Sequence, residues 1–333
     1  MRPENLKSKI FLDSGDPDQT REILELLGFL DGQTTNPTLI SKNEEAAKRL
    51  AEGHKFRQEE IFNFYQKVVG EISKLIPQGS VSVEVYSDKD TTAKKMLNQG
   101  REMYSWIDNA HIKFPTTKEG LIAAEQAVKE GMRINMTLCF SQEQAAAVYA
   151  ATKGAKKGRA PLEVAAPAPL EISRSINKHR LDRSLTGLAV QKGLAPEARA
   201  RLLTGQVFVS PFIGRLDDKG ENGMQLIENI LRMFENGDSH VQVLTASVRN
   251  LNHFLYAIKL GSDIITAPFS VLKEWGEKGL VIPEDDFTYE QDLAPIPYKE
   301  IDLNKNWQEF NIFHELTEKG IQKFSDDWNS LIT

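Results

Sequence analysis

Short β-rich runs alternate with helix-like stretches along almost the whole chain, and this alternation limits the available folds more than any other feature. Several runs are apolar almost throughout, as strands buried on both faces of a sheet should be. Amphipathic segments lie between them: 120–130 places Leu121, Ala124 and Val128 at helical spacing, and 223–234 has the same pattern. The predicted strands are 9–13, 32–36, 81–86, 111–114, 134–140, 207–212, 241–246 and 263–266.

Eight β-then-α units in one chain predict an α/β fold of the TIM type, a (β/α)8 barrel. The 333 residues fit one such barrel or two ordinary domains, so length alone does not decide. The rival is a doubly wound open sheet, which is disfavoured because no glycine-rich phosphate-binding sequence follows the first strand. We therefore expect 1–333 to form a single TIM-barrel domain.

Two segments do not fit the repeat. The first, 153–206, has 11 lysines and arginines against 4 acidic residues, and lies between the fifth helix of the repeat and the sixth strand. In a barrel this position faces the N-terminal ends of the strands, away from the catalytic mouth. We therefore expect a subunit contact, a docked segment, an acidic partner's binding site or a solvated loop. The second, 283–333, is acidic and proline-punctuated before a final helix, and is expected to pack on the barrel.

Composition and charge disfavour several classes of protein. A formal net charge of −6 argues against a general nucleic-acid binder. No apolar run approaches the roughly 18 residues that a membrane span needs, and the start of the sequence lacks the apolar stretch of a signal peptide. The single cysteine, Cys139, excludes an intrachain disulfide and is expected to be a buried structural thiol. These features predict a cytoplasmic protein with no membrane or nucleic-acid partner.

Polar residues are concentrated on the predicted strands or just beyond their carboxyl ends. In TIM barrels these ends form one mouth, where the active site lies. We therefore expect these side chains to meet. They are Asp13, Thr34, Asn36, Glu84, Lys113, Asn135, Thr137, Ser210, Arg215, Ser247 and Arg249.

Lys113 is the most informative of them, because it lies inside a short apolar strand. A lysine is rarely buried without a purpose, and desolvation disfavours its ammonium form. The neutral amine can attack a carbonyl group and form a Schiff base. Asp13 and Glu84, on neighbouring strands, could divide the proton transfers. The alternatives are an edge-strand lysine with its amine in solvent, a surface Glu84, and Asp13 as a helix N-cap, although Asp16 is the better cap.

Arg215 and Arg249 follow the sixth and seventh strands. The guanidinium group suits phosphate oxygens, and the hydroxyl of Ser247 adds a donor. Loops near the last strands of TIM barrels often bind phosphate. The sequence therefore predicts a phosphate site here, with surface salt bridges as the alternative for each arginine.

Five motifs, in order, resemble those of the transaldolase family across nearly the whole chain. Each lies at the end of a predicted strand, so a chance match is very improbable. The motifs are TTNPTLI at 34–40, IKFP at 112–115 followed by TKEG at 117–120, NMTLCFS at 135–141, SPFIGR at 210–215 and ASVRN at 246–250.

The resemblance implies a transferase of aldehyde and ketone groups in the pentose phosphate pathway. It would move a dihydroxyacetone unit from a ketose phosphate, such as sedoheptulose 7-phosphate or fructose 6-phosphate, to an aldose phosphate through a Schiff base on Lys113. It implies that Asp13 and Glu84 move protons and that Thr137 helps to hold a catalytic water. It also implies no metal or organic cofactor and leaves a homo-oligomer open. The implied substrate-binding residues are Thr34, Asn36, Asn135, Ser210, Phe212, Arg215, Ser247 and Arg249.

Two other functions stay open at this point. Relatives that resemble fructose-6-phosphate aldolase share the lysine but release free dihydroxyacetone. They usually have glutamine where this chain has Glu84 and tyrosine where it has Phe212, and both departures favour transfer. A catalytically silent barrel used as a scaffold is disfavoured because it has no need for a buried Lys113 beside two carboxylates.

Overall fold

A computed structural model describes residues 2–157, 205–289 and 291–333. Its centre is a closed barrel of eight parallel strands that pair in chain order, with the last strand pairing with the first. The predicted TIM barrel is therefore confirmed. The strands are β1 (Lys9–Asp13), β2 (Gly32–Thr34), β3 (Ser80–Glu84), β4 (Ala110–Pro115), β5 (Ile134–Cys139), β6 (Val207–Pro211), β7 (Val241–Thr245) and β8 (Ile264–Pro268).

Helices surround the barrel and begin close to the carboxyl ends of the strands. Polar caps explain where many of them start: Asp16, Thr117 and Ser141 each accept a backbone N–H of the following first turn. The described helices are α1 (Pro17–Leu27), α2 (Pro37–Ser41), α3 (Glu44–Ala51), α4 (Gln58–Leu75), α5 (Ala93–Tyr104), α6 (Lys118–Lys129), α7 (Gln142–Ala151), α8 (Ile213–Asp217), α9 (Gly223–Phe234), α10 (Leu251–Lys259), α11 (Phe269–Glu277), a 3-10 turn (Trp307–Glu309) and α12 (Glu315–Ser330).

Most strand bounds differ from the sequence prediction by one or two residues, and two differences have physical reasons. The second strand stops at Thr34, because Pro37 starts α2 and Asn36 caps it through a 2.9 Å bond from the N–H of Leu39. The eighth strand is Ile264–Pro268, so it starts one residue later and ends two residues later than predicted. It extends further toward the mouth because Pro268 pairs with Asp13 of β1.

The basic insertion predicted at 153–206 falls mainly outside the described residues, which stop at 157 and resume at 205. Its described ends are joined: the N–H of Lys156 donates to Oε1 of Gln206 at 2.7 Å, and the N–H of Gln206 donates to the carbonyl of Lys156 at 3.0 Å. Gln206 also accepts the N–H of Ile134, at the start of β5. This junction therefore lies at the N-terminal ends of the strands.

The C-terminal segment crosses the helical layer and ends over the mouth. Ile296 and Lys299 are tied by backbone hydrogen bonds to the side chains of α9 and α7. The last helix, α12, then packs against α2 and the end of β5. The apolar stripe predicted for this helix is buried, and Trp328 contacts Phe62 and Tyr65. No helix among the described ranges is long and apolar enough to cross a membrane.

Candidate active site

A cavity of about 380 Å³ opens at the carboxyl ends of the strands, which is the size range of small-molecule sites. Most of the predicted site residues meet here, although they come from five different strands or the loops that follow them. Asp13, Thr34, Asn36, Lys113, Ser210, Phe212, Arg215, Ser247 and Arg249 line the cavity. The other three predicted residues, Glu84, Asn135 and Thr137, are buried behind this lining.

Lys113 lies at the base of the cavity and is only 3% exposed, so the solvated edge-strand alternative is wrong. Its Nζ forms an ion pair with Oε2 of Glu84 at 2.7 Å and donates to the carbonyl of Thr35 at 3.0 Å. Glu84 and Lys113 are paired residues in the register of β3 and β4. Burial raises the pKa of Glu84, although the neighbouring Lys113 opposes this shift. Such a carboxyl group accepts the lysine proton more readily than an ordinary one.

Asp13 is the second carboxyl group of the site. Thr34 donates to it at 2.6 Å, and Thr34 itself lies 2.6 Å from the hydroxyl of Thr266 on β8. Burial raises the pKa of Asp13, while the charge of Lys113 opposes the shift. The N-cap of α1 is Asp16, so Asp13 is not used as a helix cap. Burial thus raises the pKa of both predicted acid–base residues, so each holds a proton more readily than an ordinary carboxyl group.

A hydrogen-bonded layer supports the cavity from behind. Ser210 donates to Oδ1 of Asn135 at 2.6 Å, and Nδ2 of Asn135 donates to Ser82 at 3.2 Å. The hydroxyl of Thr137 is fully buried and has no hydrogen-bond partner among the described residues. Buried hydroxyls are normally paired, so an orphan one on the strand next to that of Lys113 indicates a place for a small polar molecule.

Arg215, in α8, also lines the cavity. Its guanidinium is half-buried and donates no hydrogen bond to any residue that the structure describes. Burial lowers the pKa of Arg215, but an arginine still stays charged at neutral pH. A partly desolvated cation that forms no direct ion pair with a described residue is suited to bind an anionic group of a ligand.

Arg249 differs from Arg215 because it already has a partner. It is exposed, and its Nη2 donates to Oδ2 of Asp218 at 2.6 Å. Gly214 lets this side chain cross close to the backbone, since a Cβ there would lie 2.3 Å from Nε of Arg249. Ser247 adopts a left-handed φ of 62°, a strained conformation that often marks a functional site. A surface ion pair, one of the readings of the sequence, is therefore present at Arg249.

A second network fixes the turn that carries Arg249. The N–H of Arg249 donates to Nδ1 of His253 at 3.3 Å, and Nε2 of His253 lies 2.8 Å from Asp217 and 2.6 Å from the hydroxyl of Tyr289. Tyr289 also donates to Asp217 at 2.7 Å. Burial alone would raise the pKa of Asp217, but the bonds from His253 and Tyr289 outweigh it and hold the pKa below its usual range.

Several residues that line the cavity were not predicted, among them Thr266, Lys42, Lys323 and Phe324. Thr266 ends the predicted eighth strand, so the rule used for the other strands applies to it but was not extended to this strand. Lys42 lies two residues beyond the TTNPTLI motif and carried no separate signal. Lys323 and Phe324 belong to α12, where an apolar stripe gives no indication that the helix reaches the mouth.

The described residues contain no group of three or more histidine, cysteine, aspartate or glutamate side chains placed to hold a metal ion. Cys139 is buried, as expected, and burial raises the pKa of its thiol to about 12. A thiol in that state is a poor nucleophile.

Comparison with known proteins agrees with this geometry. A family model described as transaldolase/fructose-6-phosphate aldolase matches residues 10–333. A "Probable transaldolase" of Dehalococcoides mccartyi is 29% identical over 97% of this chain and 99% of its own length. Proteins with the same name from Thermoplasma volcanium and a Thermoanaerobacter species are 35% and 30% identical, over 80% and 96% of this chain and 86% and 96% of their own lengths. This chain belongs to the transaldolase/fructose-6-phosphate aldolase family.

Proposed function

We propose that this protein is a transaldolase, which transfers a dihydroxyacetone unit from a ketose phosphate to an aldose phosphate through a Schiff base on Lys113. The observation that carries the proposal is the buried pair of Lys113 and Glu84 at the base of a cavity that is also lined by Arg215, a cation with no direct ion pair in the described part of the chain. A carbonyl group and a phosphate on one substrate match the lysine and the arginine. The family resemblance further supports a place in the pentose phosphate pathway, in the cytoplasm.

In the first step, the neutral amine of Lys113 attacks the C2 carbonyl of the ketose. Glu84 takes the lysine proton, which its raised pKa favours. Glu84 then returns this proton to the hydroxyl group of the carbinolamine, which leaves as water and gives a protonated imine. The orphan hydroxyl of Thr137 is available to hold that water.

In the second step, Asp13 takes the proton of the C4 hydroxyl, and the bond between C3 and C4 breaks. The electron pair moves into the imine to give an enamine, and the aldose phosphate leaves. An acceptor aldose then adds through the reverse of these steps, and water hydrolyses the new imine to regenerate Lys113. The water lost in imine formation is thus recovered in hydrolysis, so no external oxidant or reductant is required.

The remaining residues orient the sugar. Arg215, Arg249 and Ser247 would bind the phosphate, which suits the guanidinium geometry. Thr34, Asn36, Asn135 and Ser210 would bind hydroxyl groups, and Phe212 would pack against the chain of the substrate.

The test is borohydride trapping followed by product analysis. The protein is incubated with fructose 6-phosphate, reduced, digested and analysed by mass spectrometry. We expect a reduced three-carbon adduct on Lys113, and a new ketose phosphate only when an acceptor aldose phosphate is added. Absence of any adduct on Lys113 would refute the Schiff-base mechanism. An adduct with rapid release of free dihydroxyacetone, whether or not an acceptor is present, would identify an aldolase instead.

A further inference from the structure

The guanidinium of Arg215 is held between two aromatic rings from distant parts of the chain. Its Cζ lies 5.3 Å from the ring centroid of Phe212 and 5.3 Å from that of Phe324. Phe212 follows β6, whereas Phe324 belongs to the C-terminal helix α12, and both rings are buried. Contact with ring faces attracts a cation without occupying its N–H donors. The donors therefore stay available to a ligand in the cavity.

Helix α12 has a glycine, Gly320, where it approaches this guanidinium. A Cβ at Gly320 would lie 2.8 Å from Nη1 of Arg215 and 2.6 Å from Cδ2 of Leu138. Glycine is unfavourable inside a helix compared with alanine, so a buried glycine in α12 calls for a local reason. Close approach of Arg215 and Leu138 supplies that reason.

The same helix is fixed to the barrel near its start. Thr317 donates to the carbonyl of Leu138 at 2.9 Å and accepts from Gln144 at 2.9 Å. His314, the N-cap of α12, stacks on Phe140 at 5.2 Å. The cap and the carbonyl of Leu138 thus set the position of the helix relative to β5.

Phe140 in turn meets Phe212 edge-on at 5.9 Å. Contacts therefore run from the start of α12 through Phe140, Phe212 and Arg215 and return to the same helix at Phe324. A cation held in such a closed chain of contacts loses its conformational freedom before a ligand arrives, which is preorganisation.

We propose that Phe324 and Gly320 are positioning residues of the phosphate site, which hold Arg215 with its donors directed into the cavity. The inference rests on the proposed function and extends the phosphate site to the C-terminal helix. Its test is a titration with inorganic phosphate, because phosphate binding does not require catalysis.

The first experiment measures the phosphate concentration at which half of the folded protein is bound, obtained by fitting the rise in Tm with phosphate concentration. Phe324→Leu keeps an apolar side chain but removes the ring, and should raise this concentration about three- to tenfold. Phe324→Tyr keeps the ring and should bind phosphate like the wild type. Trp328→Leu is the matched control, because Trp328 is buried in the same helix but packs on Phe62 and Tyr65.

A second variant, Gly320→Ala, separates positioning from simple stabilisation of the helix. Alanine favours a helix, so loss of helical structure is not expected, but its methyl group must displace the ends of Arg215 and Leu138. We expect weaker phosphate binding, a higher KM for fructose 6-phosphate, and a smaller change in kcat.

The results separate the two proposals. Equal losses in Phe324→Leu and Trp328→Leu would show that α12 acts only through stability and would overturn the inference. The inference would also be overturned if Phe324→Leu and Gly320→Ala both bound phosphate like the wild type while Arg215→Ala bound it weakly. Unchanged binding in Arg215→Ala itself would instead refute the phosphate site of the proposed function.

Discussion

His111 and Lys113 lie two residues apart on β4, and both are buried, but their surroundings differ in kind. His111, nearer the N-terminal end, has both ring nitrogens paired, with Ser80 at 2.8 Å and the carbonyl of Gly205 at 3.0 Å, and it stacks on Phe208 at 4.1 Å. Lys113 lines the cavity, and the orphan hydroxyl of Thr137 lies further along the neighbouring strand β5. Closed networks of this kind stabilise a fold, whereas unsatisfied groups around a cavity are available for chemistry.

The largest expected effect is a loss of activity when Lys113, but not His111, is replaced. Lys113→Ala removes the nucleophile and should lower kcat by on the order of 10⁴-fold or more, since a catalytic nucleophile and the residues that assist it act as a unit. Circular dichroism should show an intact fold. Turnover per folded molecule should stay near the wild-type value in His111→Ala, the matched control. Near-normal turnover in Lys113→Ala would contradict the proposed nucleophile.

The next effect is a loss of stability when His111 is replaced. His111→Ala removes a buried ring and leaves the Ser80 hydroxyl and the Gly205 carbonyl without this partner. We expect a loss of about 2–4 kcal/mol in the free energy of unfolding, measured with urea. If this variant were as stable as the wild type, the N-terminal network would have no structural role.

A third comparison concerns the two arginines of the mouth. Arg215→Ala should weaken use of a ketose phosphate by about 1.5–3 kcal/mol in kcat/KM, and use of a non-phosphorylated ketose much less. Arg249→Ala should have a smaller effect, because its guanidinium is exposed and already paired with Asp218. Kinetics on both substrates give the measurement. Equal losses on the two substrates would remove the phosphate assignment from the arginine concerned.

A smaller effect depends on pH. Burial, helped by the charge of Arg133, holds the pKa of His111 well below its ordinary value of 6.5. As pH falls below 6.5, the unfolded chain binds a proton that the folded protein resists. The free energy of unfolding therefore falls with pH until the folded pKa is reached, by at most about 1.4 kcal/mol per pH unit. The slope of unfolding free energy against pH between 6.5 and 5 should be reduced in His111→Gln.

Other titrating groups act equally in both proteins of this comparison. The raised pKa values of Asp13 and Glu84 work in the opposite direction, because folded protein then binds protons more readily than the unfolded chain. Only the difference between wild type and His111→Gln reports on His111. Identical slopes would exclude it as the source.

The smallest expected effect concerns the insertion. Replacing 158–204 with a short glycine–serine linker should leave kcat/KM for sugar phosphates within about tenfold, or about 1.4 kcal/mol. The reason is that its described ends meet at Lys156 and Gln206, at the end of the barrel opposite the mouth. Oligomeric state or thermal stability should change instead. A folded variant with wild-type assembly but no turnover would place the insertion near the site.

Sequence patterns predicted the barrel and most of the mouth because both depend on local regularities. A lysine inside an apolar strand and an arginine after a strand end are visible along the chain. The ion pair of Glu84 with Lys113 was not predicted, because it depends on the register of β3 and β4, which the sequence pattern does not give. Contacts made by distant segments could not be read in this way. Nothing in the pattern of α12 distinguishes Phe324 from an ordinary core residue, because an apolar stripe looks the same whichever surface it covers.

The hydrogen bonds between Lys156 and Gln206 also make that junction a suitable site for inserting or exchanging a segment of chain. The two chain ends are already held together, so the length of what joins them has little influence on the barrel. For a flexible connection, each doubling of length costs only roughly 0.6 kcal/mol in closure entropy. Evolution could therefore lengthen, shorten or exchange this passage while the catalytic rim is conserved. An engineer could insert a reporter domain or an affinity module there on the same grounds.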